Sequence, residues 1–110
     1  MTSVKPLDLE KLRKAVRNGT IEWRKHTLQR MAERGISQEV ILSVLLSGER
    51  IRDYADDKPF ASALFLGYDG NRPVHIVAAV DETVPRAFII TVYEPTLDVF
   101  ESDFRTRRKQ

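Results

Sequence analysis

The chain has 110 residues, enough for one domain with a modest core, and 42% of them are apolar, which excludes an intrinsically disordered chain. It has no cysteine, so disulfides and thiolate metal sites are excluded. The net charge is +2, with basic residues concentrated in the first 34 and the last six positions and acidic residues between them. Such segregation can guide a phosphate-bearing partner to one side, or it can simply be solubilising charge.

The N-terminal sequence has no apolar signal core, and no apolar run is long enough to span a bilayer, so we expect a cytoplasmic protein that does not enter a membrane. No internal repeat or linker divides the chain. We therefore predict a single domain with an accessory helix at 7–17, a core at 21–104 and a basic tail at 105–110 that frays.

Three helices are predicted in the first half of the chain. Apolar residues spaced three and four apart indicate an amphipathic helix at 7–17, and alternation at 20–24 indicates a short strand. A second helix at 25–34 ends at Gly35, a residue suited to the left-handed position after a helix. The third helix, 38–47, is the most apolar, so we expect it to be the most buried.

Four strands joined by short loops are predicted in the second half: 50–54, 61–68, 73–80 and 86–93. Short loops between sequential strands favour an antiparallel meander. The last two strands are apolar on both faces, so they should be central, and both faces need cover. Helices can cover one face of these strands. The N-terminal helix or a partner chain can cover the other face. A short helical turn is predicted after Thr96.

The predicted fold is α+β, with helices packed on one face of a four- to five-stranded antiparallel sheet. Because the central strands are apolar on both faces, we also expect a homo-oligomer or a partner protein at an exposed face or edge. Eight side chains are predicted to be mostly buried: Leu28, Met31, Ile41, Val44, Leu45, Ile76, Phe88 and Val92.

Three polar side chains form a ridge on the predicted helix 25–34. The apolar residues of this helix share one face, so His26, Arg30 and Arg34 point away from it. One interpretation is an ordinary solvated helix face. The other is an anion-binding ridge, because arginine offers a planar fork for phosphate and histidine exchanges protons near neutral pH.

His75 lies in the predicted strand 73–80, where alternation places it on the face away from Val74 and Ile76. If the faces of the last two strands coincide, His75 lies close to Tyr93. The alternative interpretation is a histidine that one backbone or hydroxyl partner satisfies. The strand register decides between the two, and the sequence does not determine it.

Other chemistries have weaker support. The two histidines are far apart and give no metal-ligand spacing. Asp53, Asp56 and Asp57 have the ligand type that divalent cations prefer, but a solvated acidic loop is the favoured interpretation. The sequence contains no phosphate-cradling glycine loop and no nucleophile elbow. We predict neither a metal nor a cofactor.

Four strings, IEWRKHTLQRMAERGIS, GERIRDYADDKPFASALFLG, RPVHIVAAV and ITVYEP, carry a family resemblance. Over residues 21–108 the chain resembles the small proteins grouped as domain of unknown function 4258. It is more distantly similar to BrnT-type toxins and, through them, to the RelE/ParE toxin fold. The shared features are Glu22-Trp23 at the end of a strand, a helix, the break at 35–37, a second helix and a meander.

Many RelE/ParE-type toxins are metal-independent ribonucleases that a cognate antitoxin neutralises. The resemblance therefore implies RNA as the substrate and a small antitoxin as a partner. Such cleavage needs a base, an acid and cations that stabilise the phosphorane charge. We assign these roles to His26, Arg30, His75 and Tyr93, and predict that they share one shallow basic site. RNA or anion binding would come from Arg34, Arg72, Arg86 and Tyr54.

Two alternatives to an endoribonuclease stay open. The same basic ridge can hold RNA or an acidic protein without cleaving it, which would make the protein a binding module. The exposed sheet face can instead pair with a second copy or another protein, which would make it an interaction protein.

Overall fold

The computed structural model describes residues 4–109, which form three helices and one five-stranded sheet. The strand order is β1-β5-β4-β3-β2, and all neighbours are antiparallel except β1 and β5. The predicted α+β class is confirmed, and β1 adds a parallel edge strand to the meander. No helix within the described residues is long and apolar enough to cross a membrane. The elements are α1 (Leu9–Arg17), β1 (Ile21–Glu22), α2 (Lys25–Arg34), α3 (Gln38–Ser47), β2 (Glu49–Tyr54), β3 (Ser62–Asp69), β4 (Arg72–Asp81) and β5 (Arg86–Tyr93).

Single residues next to the helices determine where they begin and end. The Asp8 carboxylate accepts the backbone N–H of Lys11 (3.1 Å) at the start of α1. The Ser37 hydroxyl oxygen accepts the backbone N–H of Val40 (3.1 Å) at the start of α3. Gly35 adopts φ 64° after α2, a left-handed conformation that costs glycine little. A tight break therefore separates α2 from α3, as the sequence predicts.

All three helices pack on the same face of the sheet, here called the helix face. Six of the eight predicted core side chains belong to its apolar core. The N-terminal helix is part of this layer, so it does not cover the other face of the sheet. The core includes Leu12, Ala15, Val16, Met31, Ile41, Val44, Leu45, Phe65, Val74, Ile76, Ala78, Ile89 and Val92.

The orientation of α2 differs from the prediction. Leu28 is 38% exposed because α2 turns Thr27 and Met31 toward the sheet instead. The Thr27 hydroxyl donates to the Ile89 carbonyl (3.3 Å), so this buried polar group is satisfied. α2 has few apolar side chains, and a pattern that sparse does not define which stripe of the helix is buried.

A β-bulge decides which side chains of β5 lie on the face away from the helices, here called the opposite face. The β4–β5 register shifts between Val77 and Ala78, so the alternation of β5 changes at Ile90. Ile89 consequently joins the helix face. Phe88, which we predicted to be mostly buried, is only half-buried and lies on the opposite face.

The C-terminal segment, residues 96–108, partly covers the opposite face. Phe100 is buried and forms an isolated β-bridge with Arg107, and the Arg108 backbone N–H donates to the Val99 carbonyl (2.8 Å). The predicted helical turn after Thr96 is present, because the Phe100 backbone N–H donates to the Thr96 carbonyl (2.9 Å). The prediction of a fraying tail is wrong through Arg108, because the chain turns back and pairs with itself. This cover comes from the same chain rather than from a partner.

α3 approaches the sheet closely at Gly67, so a larger residue at this position tests the packing. A Cβ atom on Gly67 would lie 2.5 Å from Cγ2 of Val44. Val44 is β-branched and cannot easily rotate away in a helix. We expect Gly67→Ala to lower the free energy of unfolding by about 1–3 kcal/mol in urea titrations. The same change in a Val44→Ala background should cost less, because the cavity accepts the methyl group. An equal cost in both backgrounds would refute the close approach.

Candidate functional site

The two halves of the predicted composite site lie on different elements of the fold. His26 and Arg30 are exposed on α2, where Arg30 forms an ion pair within the helix (3.2 Å). α2 packs on the helix face through Met31, whereas His75 lies on the opposite face beside its cross-strand partner Tyr93. Strand alternation turns His75 away from the helices, and its neighbours are Tyr93, Phe100 and Phe104 rather than His26 or Arg30.

Arg34 and Arg72, predicted to bind anions, have partners within the chain. Arg34 donates to the Val92 carbonyl. Arg72 donates to the carbonyls of Gly35 (2.8 Å) and Arg34, and it pairs with Glu94 (2.7 Å). A cation at these carbonyls satisfies the C-terminal end of α2 and opposes its dipole. The structure thus shows Arg72 joining β4 to the end of α2.

His75 is fully buried, and both of its ring nitrogens have partners. Nε2 lies 2.7 Å from the Phe104 carbonyl oxygen, and Nδ1 lies 3.1 Å from the Tyr93 hydroxyl. The Phe100 ring contacts the imidazole edge-on, with ring centroids 4.7 Å apart. Burial lowers the pKa of His75 below its ordinary value of 6.5, and the Phe104 hydrogen bond opposes this shift. The imidazole is therefore neutral at pH 7.

The direction of both hydrogen bonds follows from this neutral state. A carbonyl oxygen can only accept, so Nε2 carries the proton and donates to Phe104. Nδ1 then accepts, so the Tyr93 hydroxyl donates to His75. The imidazole holds the C-terminal segment and orients the Tyr93 phenol, and it is itself shielded from any ligand. This agrees with the structural interpretation of His75, that of a buried histidine with satisfied partners.

Tyr93 is half-buried and stands among cations. Burial raises its pKa above the ordinary value of 10, and Tyr54 adds to the increase, while Arg107 and Arg52 oppose it. The phenol is therefore protonated at neutral pH.

These side chains form the candidate site, here called the tyrosine–arginine cluster and defined as Arg52, Tyr54, Tyr93 and Arg107. Arg52 lies opposite Leu64 in the β2–β3 register, which places it on the opposite face. The two arginines are exposed and the two tyrosines are half-buried. Chemically, the cluster offers guanidinium groups for phosphate and phenol rings for stacking.

Two residues of the cluster, Arg52 and Arg107, were not among the predicted site residues. Arg52 stands two positions before Tyr54 in β2, and alternation places both on one face. That spacing was a usable signal. No pattern in the sequence indicated Arg107. Only the return of the C-terminal segment brings its guanidinium over the Phe100 ring, 5.8 Å from the centroid. Arg86, by contrast, lies away from the cluster, opposite Asp81 in the register of β4 and β5.

The acidic loop does not gather carboxylates around a common point. Within residues 4–109, no group of three or more His, Asp or Glu side chains is arranged to hold a metal ion. The Asp57 carboxylate instead accepts a hydrogen bond from the Ser62 hydroxyl (2.8 Å).

Comparison with known families adds one finding. A family model described as Domain of unknown function (DUF4258) matches residues 23–94. The chain belongs to this family. The DUF4258 region contains Arg52, Tyr54, His75 and Tyr93, whereas Arg107 lies beyond its end. No curated protein and no solved structure matches the chain.

Proposed function

We propose that the protein binds single-stranded RNA on the opposite face of the sheet, through the tyrosine–arginine cluster. The observation that carries this proposal is that Arg52, Tyr54 and Tyr93 share one sheet face, to which the C-terminal segment brings Arg107. Proteins bind single strands by combining cations that follow the phosphates with aromatic rings on which bases stack. The cluster supplies both kinds of group.

The contacts of the other predicted residues also favour the tyrosine–arginine cluster, rather than the ridge on α2, as the RNA-binding surface. Arg30 is paired with Glu33, and Arg34 and Arg72 are engaged with backbone carbonyls. Arg52 and Arg107 are exposed, and the Arg107 guanidinium lies over the Phe100 ring. The likeness to BrnT-type and RelE/ParE-type toxins adds the proposal that this RNA is a toxin target. An antitoxin partner and self-association remain predictions.

RNA cleavage without a metal is the second candidate, and the Tyr93–His75 hydrogen bond is the observation that favours it. A ribose 2′-hydroxyl can pass its proton to the Tyr93 oxygen while the phenol proton moves to Nδ1 of His75. The 2′-oxygen then bonds to phosphorus, and the 5′-oxygen leaves and takes a proton from water. Burial lowers the pKa of His75 and so opposes this proton uptake. Binding is therefore the leading proposal.

RNA binding is tested by fluorescence anisotropy with a labelled single-stranded RNA decamer. We expect the double variant Arg52→Ala/Arg107→Gln to bind about tenfold or more weakly than the wild type, because two charge-assisted contacts are lost. The slope of log affinity against log salt should fall by about 1.4, since each phosphate contact contributes about 0.7 for a single strand.

The matched control is Arg30→Ala, which removes an exposed arginine from α2. It should leave both affinity and salt slope unchanged. Tyr93→Phe separates the two candidates, because it keeps the ring for stacking and removes the hydroxyl. Retained binding without cleavage in either protein, with chelator present, supports the binding module. A wild-type protein that does not bind the decamer would refute the proposal.

A further inference from the structure

A cavity of about 250 Å³ opens on the opposite face of the sheet, beside Ala79 and Phe88. It is smaller than the roughly 300–1,000 Å³ of pockets that take drug-sized ligands, so it suits a single ring system. We call it the phenylalanine pocket, and its lining includes Arg24, Lys58, Phe60, Ala79, Phe88 and Ile90.

Aromatic rings form one wall of the phenylalanine pocket. Phe60 stacks on Phe88 with ring centroids 5.5 Å apart and an angle of 14° between the planes. The Arg24 guanidinium carbon lies 5.7 Å from the Phe88 centroid. Rings and guanidinium planes are the groups on which proteins stack unpaired bases. Ile90, at the β5 bulge, is 43% exposed and adds apolar contact.

The polar lining distinguishes a base from a phosphate. The Asp57 carboxylate lines the pocket and repels a phosphate group inside it. Its two oxygens each accept one hydrogen bond, from the Ser62 hydroxyl (2.8 Å) and from the Lys58 backbone N–H (3.0 Å). A carboxylate has about four lone-pair sites, so it can accept more, such as the exocyclic amine of a base. Lys58 remains for a flanking phosphate, whereas Arg24 is paired with Glu22 (3.0 Å).

The strand register joins the pocket to the cluster. Tyr54 pairs with Ser62, Ser62 with Ala79, and Ala79 with Phe88. This row crosses four strands on the opposite face, with the cluster tyrosine at one end and the pocket phenylalanine at the other. Ser62 and Ala79, in the middle of this row, are buried, so an RNA strand that joins the two sites passes over the part of the chain that covers them.

We propose that the phenylalanine pocket holds one nucleobase of the RNA strand that crosses the tyrosine–arginine cluster, with a preference for a base that carries an exocyclic amine. This inference rests on the proposed function, because the cluster supplies the phosphate contacts for the same strand. It adds a base-reading position, which phosphate contacts alone do not provide.

The test compares decamers of cytidylate and uridylate, which differ at the exocyclic amine. We expect Phe60→Leu to weaken cytidylate binding by about 5- to 150-fold, the range for loss of one base stack, with the salt slope unchanged. Asp57→Asn should reduce the preference for cytidylate over uridylate. The matched control is Tyr68→Leu, which removes an aromatic residue that is 51% exposed outside the pocket and should change neither affinity nor preference.

A direct measurement does not depend on variants that fold. Cytidine monophosphate added to the wild-type protein should shift the ring proton signals of Phe60 and Phe88 in nuclear magnetic resonance spectra. If Arg52→Ala/Arg107→Gln weakens RNA binding while Phe60→Leu and the ring signals show no effect, the pocket proposal is overturned and RNA binding stands. If the wild type binds neither decamer, both proposals fail.

Discussion

Replacing Leu45 with alanine is expected to lower the free energy of unfolding by about 2–5 kcal/mol, the range for deleting a leucine side chain from a core that cannot collapse. Leu45 is fully buried in the last turn of α3, the helix that lies over β3 and β4. Its backbone carbonyl also accepts a hydrogen bond from the Arg13 side chain (3.0 Å), which holds this part of α3 in place. The surrounding atoms therefore have little freedom to fill the cavity.

Urea titration measures this change as a lower midpoint with an unchanged slope. The control is Leu97→Ala, because Leu97 is 53% exposed in the C-terminal segment. The control should stay within about 0.5 kcal/mol of the wild type, as surface substitutions usually do. A Leu45→Ala variant as stable as the Leu97 control would contradict the packing of α3 on the sheet.

His75→Ala is expected to lower the free energy of unfolding by roughly 2–5 kcal/mol. It leaves the Phe104 carbonyl and the Tyr93 hydroxyl without their buried partner, and it opens a cavity. The change should also loosen the C-terminal segment, which is detectable as faster hydrogen exchange at the Arg108 amide. The two histidines form a matched pair, since His26 is exposed on α2. His26→Ala should leave stability and exchange unchanged. Equal effects of the two substitutions would refute the structural role of His75.

The pH dependence of stability provides a second measure of His75. Its pKa is lowered in the folded state by burial, so the unfolded chain binds more protons once the pH approaches the ordinary value of 6.5. Stability should therefore fall as the pH drops through 6.5 toward the folded-state pKa, and it should be fully present above 6.5. The His75→Ala variant should lose this component. If the wild type and the variant show the same slope between pH 7 and pH 5, the pKa of the buried imidazole is not lowered.

Local residue patterns determined the elements of this protein. Gly35 and Ser37 ended one helix and started the next because their conformational and capping preferences act over a few residues. The turn at 69–71 and the short loops between strands made the antiparallel meander predictable. Leu45 was predictable as a core residue because it stands in the most apolar helix of the chain.

Only the tertiary structure decided how these elements face one another. The bulge at Ile90 places Phe88 on the opposite face, and no local sequence pattern indicated this bulge. In α2, Thr27 is buried and Leu28 is exposed, because the Thr27 hydroxyl donates a hydrogen bond to a carbonyl of β5. Such partners are distant in sequence, so they cannot be predicted from hydrophobic periodicity or from secondary-structure propensity.

The candidate site shows the same division. The sequence by itself identified Tyr54, His75 and Tyr93 as residues of interest and predicted that His75 and Tyr93 meet if the register allows it. The tertiary structure brought in Arg107 and separated His26 and Arg30 from the two, because strand alternation and the return of the C-terminal segment determine which face each side chain occupies. Residue type was therefore readable from the sequence, whereas the grouping of side chains depended on long-range pairing, which no stretch of the chain encodes alone.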